Sequence, residues 1–244
     1  MNEELIRRLA DIVRDSHRIV FFGGAGVSTE SGIPDFRSVD GLYHQHYKYP
    51  PEQILSHTFY MKRPDEFFRF YRDKLINPDV LPNKAHKVLA KWEAEGRLKA
   101  VVTQNIDGLH QAAGSKKVLE LHGSVMRNHC EKCGTPYGIE IVSETVGVPV
   151  CPKCGGRVKP DVVLYEEGLD MRTVEESVSE IRAADTLIIG GTSLVVYPAA
   201  GLVDYFRGKH LVLINKSATH VDSDAELVIA DSIGEVLSAA DALL

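Results

Sequence analysis

What this chain lacks first is an excess of positive charge: 28 lysines and arginines stand against 34 aspartates and glutamates, a formal net charge of −6 over 244 residues. With no basic surplus to attract a phosphate backbone, direct binding of nucleic acid is not expected. An export signal is missing as well. Residues 1–15 pattern as an amphipathic helix, with Leu5, Ile6, Leu9, Ile12 and Val13 on one stripe, and not as the apolar run of a signal peptide. Nor is there a membrane span. The stretch that could mislead a hydropathy scan, 186–203, has 18 consecutive uncharged residues, but Gly190-Gly191-Thr192-Ser193 and Pro198 break it into a strand, a loop and a helix start. Internal repeats and low-complexity segments are absent too. The expectation is a cytoplasmic protein that does not engage a membrane.

Cysteine is equally scarce, and all 4 residues fall into two pairs, Cys130-x-x-Cys133 and Cys151-x-x-Cys154, with 17 residues between them. This is zinc-ribbon spacing, because each Cys-x-x-Cys turn aims two thiolates at one point and two turns complete a tetrahedron. Two disulfides or four unrelated thiols would also satisfy the count, but no cysteine lies outside the pairs. A closed four-thiolate site holds one structural Zn2+ and leaves no open position for substrate, so the chemistry should lie elsewhere. Thiols grouped for metal suit a reducing compartment.

Six short apolar runs end in polar or small residues: 18–22, 98–102, 117–121, 186–189, 210–214 and 226–229. Helical patterns lie between several of them, at 83–95, 171–184, 199–207 and 233–243. The alternation indicates an α/β fold, a doubly wound parallel Rossmann-like sheet, in which ligands gather at the carboxyl ends of the strands. Two stretches break the pattern. Residues 38–82, rich in aromatics and proline, read as the helical part of a smaller lobe, and 124–159 as its inserted zinc-ribbon module. That leaves 1–37, 83–123 and 160–244 for the dinucleotide-binding domain. The aromatic set from Tyr43 to Tyr71 reads as lobe packing.

The polar residues just beyond the strands carry the chemistry. Gly23-Gly24-Ala25-Gly26-Val27-Ser28-Thr29 follows the first run, where small residues could let backbone amides close on a pyrophosphate at a helix N-terminus. A tight turn that needs glycine for packing explains it equally well, since Thr29 stands where the strict dinucleotide fingerprint requires glycine. The loop continues Glu30-Ser31-Gly32-Ile33-Pro34-Asp35-Phe36-Arg37. Later come Thr103-Gln104-Asn105-Ile106-Asp107-Gly108-Leu109-His110, Leu121-His122-Gly123 and Gly191-Thr192-Ser193-Leu194.

In this order, with the four-cysteine module between the third and the fourth sets, the chain from about residue 16 to about residue 230 resembles the sirtuins, NAD-dependent protein lysine deacylases. The resemblance implies that Gly24, Ala25, Gly26, Ser28, Phe36 and Arg37 form an NAD loop. It places Gln104, Asn105 and Asp107 around the nicotinamide and its ribose, and Gly191, Thr192, Ser193 and Asn215 at the adenosine half. It also implies catalytic roles for Asn105 and for His122, the latter as general base toward the ribose hydroxyls, and substrate contacts from Val162, Val163 and Tyr165. The implied reaction is attack of an acyl oxygen on the ribose carbon that carries nicotinamide, giving nicotinamide, free lysine and O-acetyl-ADP-ribose. Its partners would be proteins bearing acylated lysine. Asp107 could also cap the helix that follows it, and His86 and His110 read as structural.

The chain departs from the family in two places. Glu166, in Lys159-Pro160-Asp161-Val162-Val163-Leu164-Tyr165-Glu166-Glu167, stands where the family has glycine, so its carboxylate would either select basic substrate neighbours or face solvent. Members that remove succinyl or malonyl groups carry Tyr-x-x-Arg, whereas Tyr71-Arg72-Asp73-Lys74 lacks that arginine, which favours acetyl or another uncharged acyl group. Two other functions remain open: mono-ADP-ribosyl transfer through the same pocket, and a zinc-ribbon scaffold without turnover. The ribbon's few bases, Lys132 and Lys153, argue against a nucleic-acid reader.

Overall fold

A computed structural model describes residues 2–35 and 48–244. Phe36 and Arg37 lie outside the described residues, as does the first part of the aromatic segment. The described helices, in chain order, are α1 (Glu3–Asp15), α2 (Pro51–Ile54), α3 (His57–Lys62), α4 (Pro64–Lys74), α5 (Lys84–Ala94), α6 (Leu109–Ala112), α7 (Glu140–Ser143), α8 (Met171–Ala183) and α9 (Ile233–Asp241). The strands are β1 (Ile19–Gly23), β2 (Leu98–Thr103), β3 (Val118–Glu120), β4 (Gly123–Cys130), β5 (Pro136–Tyr137), β6 (Val158–Val162), β7 (Thr186–Gly190), β8 (His210–Ile214) and β9 (Leu227–Ile229).

All six apolar runs become strands of one parallel sheet, ordered β3-β2-β1-β7-β8-β9. Every residue of β1 and β7 is buried, which is why these runs are continuously apolar: a parallel sheet is covered on both faces. One face packs α1, α5 and α9 through Leu9, Val13, Leu89, Trp92 and Leu237, and the other packs α8 and the 199–205 segment through Ile181, Ala200 and Leu202. The chain crosses from β1 to β2 on one side and from β1's other neighbour, β7, to β8 on the other, so the strand order reverses between β1 and β7. In a doubly wound sheet that reversal opens a crevice at the carboxyl ends.

Two local structures differ from the sequence reading. No regular α-helix follows β1 directly; the loop instead makes two short 3-10 turns, Ala25–Val27 and Thr29–Ser31. The helical pattern at 199–207 likewise winds as a 3-10 segment, Ala199–Tyr205.

A second sheet, β5-β4-β6, is antiparallel. β6 pairs Val162 with Gly123 and Cys130 with Val158, so residues 160–162 join the small sheet rather than the large one. This sheet meets α2, α3 and α4 in a core of Phe59, Tyr60, Phe67, Phe68 and Tyr71 with Val125 and Val162. From Tyr49 to Tyr71, the described part of the aromatic segment is lobe packing, as its composition suggests. Gly123 makes the joint between sheets possible: at φ +74°, an added Cβ would lie 1.8 Å from the Asp161 carbonyl oxygen, so no side chain fits beside His122.

Candidate active site and metal centre

The carboxyl ends of β1, β2, β7 and β8 open into a cleft of about 690 Å³. Its walls include Ala25, Gly26, Ser28, Gln104, Asn105, Asp107, His122, Val162, Val163, Tyr165, Gly191, Thr192, Ser193 and Asn215. Of the expected site residues that are described, only Gly24 and the cysteines stand outside it. Leu55, Ile106 and Leu164, which add apolar wall, and Lys74 and Lys216 join the cleft without having been expected from the sequence. Ile106 was legible from its place between Asn105 and Asp107; Leu55 was not, because it arrives from the small lobe. A second cavity of about 440 Å³, bounded by His17, Arg97 and Leu244, sits at the amino ends of β1 and β2, away from all of these groups.

The glycines after β1 have a packing role. Gly26 N–H donates to the Gly191 carbonyl at 2.8 Å, and a Cβ on Gly26 would come within 2.8 Å of Gly191 Cα. The N–H groups of Gly24, Val27 and Ser28 are also bonded within the protein, to Gly190, Gly24 and Ala25. The amides that the small residues were expected to offer a pyrophosphate are therefore largely engaged in holding two loops together.

Side chains supply the polar features instead. Asn105 Nδ2 donates to Ser28 Oγ at 3.0 Å, Ser28 Oγ donates to Asp107 Oδ2 at 2.7 Å, and Asp107 Oδ1 accepts Leu109 N–H at 2.9 Å. Asp107 thus restrains the start of α6 with one oxygen and binds Ser28 with the other. Thr192 links the second half of the cleft: its N–H donates to Asn215 Oδ1 at 3.0 Å and its hydroxyl to Gln104 Oε1 at 3.3 Å, while it accepts Leu194 N–H at 3.2 Å. Leu194 sits in the left-handed region at φ 54°, a strained position for a branched side chain that clusters at functional loops. Gln104 Nε2 and Asn215 Nδ2 are buried without partners among the described residues. Unpaired donors at that depth cost free energy, and a hydroxyl- and carbonyl-rich ligand such as a dinucleotide in this cleft would satisfy them, so the residues present fit NAD.

His122 stands at the centre of the cleft. Its Nδ1 lies 2.9 Å from the Gln104 carbonyl, and a carbonyl can only accept, so Nδ1 carries the proton and Nε2 presents its lone pair. Burial pushes the His122 pKa down, offset in part by that hydrogen bond. The imidazole is accordingly neutral at physiological pH, the form a base requires.

The four cysteines are free thiols whose sulfurs all lie within 4.8 Å of one another. Cys130 and Cys154 Sγ are 3.4 Å apart, and Cys133 and Cys151 Sγ 3.8 Å. A tetrahedron with 2.3 Å metal–sulfur bonds has edges of about 3.8 Å, so the cluster fits one Zn2+ and is too open for disulfides. Tyr137 Oη, 2.9 Å from Cys151 Sγ, and Thr135 Oγ1, 3.2 Å from Cys133 Sγ, supply hydroxyls to the thiolates.

Glu166 is exposed at the rim of the cleft, in line with the solvent-facing expectation, and it is anchored as well. It adopts φ 75°, the left-handed conformation that suits glycine, and its Oε2 accepts Thr58 N–H at 2.8 Å in the first turn of α3. That hydrogen bond holds its carboxyl below the usual range. Together with Tyr165 N–H to Leu55 carbonyl at 3.0 Å and His57 N–H to Tyr165 carbonyl at 2.9 Å, it ties the 163–167 segment to the small lobe.

Beneath the cleft, His86 and His110 are buried with ring centroids 4.7 Å apart. Burial drives their pKa values down to about 4 and about 3, with the Asp107 charge opposing this for His86 and the His86 charge reinforcing it for His110. Because the unfolded histidines bind protons near pH 6.5 and the folded ones do not, this contribution to stability is complete above about pH 6.5 and is lost as pH falls toward 4. Each histidine should remove at most on the order of 1 kcal/mol per pH unit in that window. His110→Leu is expected to flatten the decline in melting temperature between pH 6.5 and 5; parallel curves would refute the assignment.

Comparison with known proteins agrees with this geometry. Residues 24–198 match the model of the Sir2 family. An NAD-dependent protein deacetylase of Clostridium perfringens (strain 13 / Type A) is 62% identical over 238 residues, covering 96% of this chain and 98% of the relative. Another from Clostridium acetobutylicum is 63% identical over 236 residues, covering 95% and 96%. A solved Sir2 enzyme superimposes with a TM-score of 0.88 at 39% identity over 100% of both chains. A Sir2–p53 peptide–NAD+ complex does so with 0.83 at 38% identity over 95% of both. The Rossmann-like sheet, the inserted four-cysteine ribbon and the order of the cleft motifs thus have one source, and the chain belongs to the Sir2 family.

Proposed function

We propose that this protein removes acetyl groups from protein lysines with consumption of NAD, releasing nicotinamide, free lysine and O-acetyl-ADP-ribose. The observation that carries this reading is a neutral histidine with its tautomer fixed by the Gln104 carbonyl, in one cleft with the Asn105–Ser28–Asp107 chain. The relatives named as NAD-dependent protein deacetylases support it.

NAD supplies the electrophilic ribose carbon and a leaving group. Ser28, Asn105 and Asp107 form a polar wall for the carboxamide and the adjacent ribose, and Gln104 Nε2 and Asn215 Nδ2 donate to the nucleotide. His122 Nε2 accepts a proton from a ribose hydroxyl, and burial keeps that nitrogen unprotonated beforehand. Val162, Val163, Leu164, Leu55 and Ile106 give the acyl-lysine chain an apolar passage that excludes water. An extended peptide held in the groove through its own backbone is bound in a mode that reads little side-chain sequence. The four cysteines hold Zn2+ away from this chemistry, with no open coordination position required of it. Residues 48–82 and the ribbon act as a small lobe that closes one side of the cleft. With a net charge of −6, we infer protein rather than nucleic acid as the partner. A cytoplasmic location fits the free thiols, and no described helix is long and apolar enough to cross a membrane.

Two structural features support a preference for an uncharged acyl group. Tyr71 is fully buried and stacks on Phe67 in the small-lobe core, and Lys74 is paired with Asp73 at 3.0 Å. The test is nicotinamide release from NAD with no peptide, with acetyl-lysine peptide and with succinyl-lysine peptide. Release that depends on acetyl peptide and exceeds that with succinyl peptide by about tenfold or more is expected, since a buried unpaired carboxylate is strongly disfavoured. Faster succinyl turnover would overturn the acyl preference and implicate Lys74. Peptide-independent release with label transferred to protein would favour ADP-ribosyl transfer instead.

A further inference from the structure

We propose that Asn83 is a positioning residue for the nucleotide: through the Val27 carbonyl, it holds the loop that presents Ser28 to the cleft. The inference rests on the NAD-dependent reading above. Asn83 precedes α5, and its Oδ1 accepts Ala85 N–H at 2.9 Å while its own N–H meets His86 Nδ1 at 3.3 Å. These bonds make a helix cap, which Asp or Ser provides equally well. The other end of the side chain serves a different purpose. Nδ2 donates to the Val27 carbonyl at 2.7 Å, across 56 residues of sequence.

Val27 is the residue before Ser28, and Ser28 Oγ is the link between Asn105 and Asp107. The loop has no regular helix to stiffen it, only two 3-10 turns. α5 also braces the opposite side of the same hydrogen-bond chain, because the His86 ring packs on His110 in α6, whose first residue is held by Asp107. One helix start thereby sets the spacing between the Ser28 loop and the Asp107 loop. Loss of the Nδ2 donor should let Ser28 drift while leaving the α5 cap intact.

The experiment compares wild-type protein with Asn83→Asp and Asn83→Ser. Both variants keep a capping acceptor, neither offers an amide donor, and aspartate adds a negative oxygen facing the Val27 carbonyl. The expected result is a KM for NAD raised about tenfold by Asn83→Asp, the effect of one hydrogen bond lost and a repulsion gained, with the peptide KM within about twofold. The rise in melting temperature induced by NAD should shrink in parallel, and the melting temperature without NAD should stay near that of wild type. A wild-type KM for NAD in both variants, or equal losses in NAD KM, peptide KM and melting temperature, would reduce Asn83 to a helix cap and overturn the proposal. If Asn83→Asp does not fold, Asn83→Ser carries the same comparison. The two readings fail differently: a wild-type protein that NAD neither stabilises nor converts refutes the functional reading, whereas active wild-type protein with unaltered variants refutes this one.

Discussion

His122→Ala is expected to lower turnover on an acetyl-lysine peptide by about 10²–10⁴-fold, the usual contribution of a positioned general base, while NAD still stabilises the protein against heat. The reason lies in what His122 does and does not hold. Its Nδ1 bonds a backbone carbonyl that β2's continuation already fixes, and its own carbonyl accepts Val163 N–H at 2.9 Å whatever the side chain. Alanine therefore removes the base without unlatching the substrate strand, and the nucleotide contacts expected from Gln104, Ser28 and Asn215 remain. The wild-type pH profile should carry the same signature. Since burial lowers the His122 pKa, the base stays competent as pH falls to 6.5, and the acid limb of kcat/KM should lie below that value. The alanine variant should lose the limb. Full activity in the variant, or an acid limb well above pH 6.5, would remove His122 from the role.

The sheet was legible in the sequence because burial on both faces forces uninterrupted apolar runs, and all six runs became strands. The polar residues at their ends were legible for the related reason that a parallel sheet directs its ligands there. What escaped was whatever depends on contacts between distant segments. Gly24 and Gly26 fit a phosphate cradle and a packing turn equally well in one dimension, and the approach of Gly191 that makes the packing contacts is not visible there. Glu166 could be seen to break a pattern, yet its bond to Thr58 crosses from one lobe to the other over 108 residues. Asn83 opens a helical pattern that the sequence shows locally, but its hold on Val27 is not local. The places of Phe36 and Arg37 in an NAD loop stay an expectation of the resemblance.

Removal of the metal should cost the protein its small lobe and, with it, essentially all deacetylation. The ribbon's own core consists of Cys130, Cys151 and Val158 flanked by Tyr137, Ile141 and Cys154, far less apolar surface than an inserted segment of this size needs to order itself. Structural Zn2+ contributes on the order of 10 kcal/mol or more to such modules, and without it four thiols within 4.8 Å have nothing to draw them together. The consequence reaches the cleft because β4 and β6 are the strands that carry the ribbon at one end and the Gly123–Val162 pair at the other. As β6 loosens, Val162 and Val163 leave the proposed acyl-lysine wall and the His122–Val163 bond is broken. The six-stranded sheet has its own two cores and should survive. Wild-type protein is thus expected to contain about one zinc per chain, and chelation or Cys151→Ser should abolish peptide-dependent nicotinamide release while most parallel-sheet amides remain protected from hydrogen exchange. Restored activity on adding Zn2+ to chelated wild type, but not to the serine variant, would complete the pattern. Metal-free protein with an intact ribbon and full activity would show that packing alone holds the lobe, and a rate that follows added metal on an unchanged fold would place the ion in the chemistry instead.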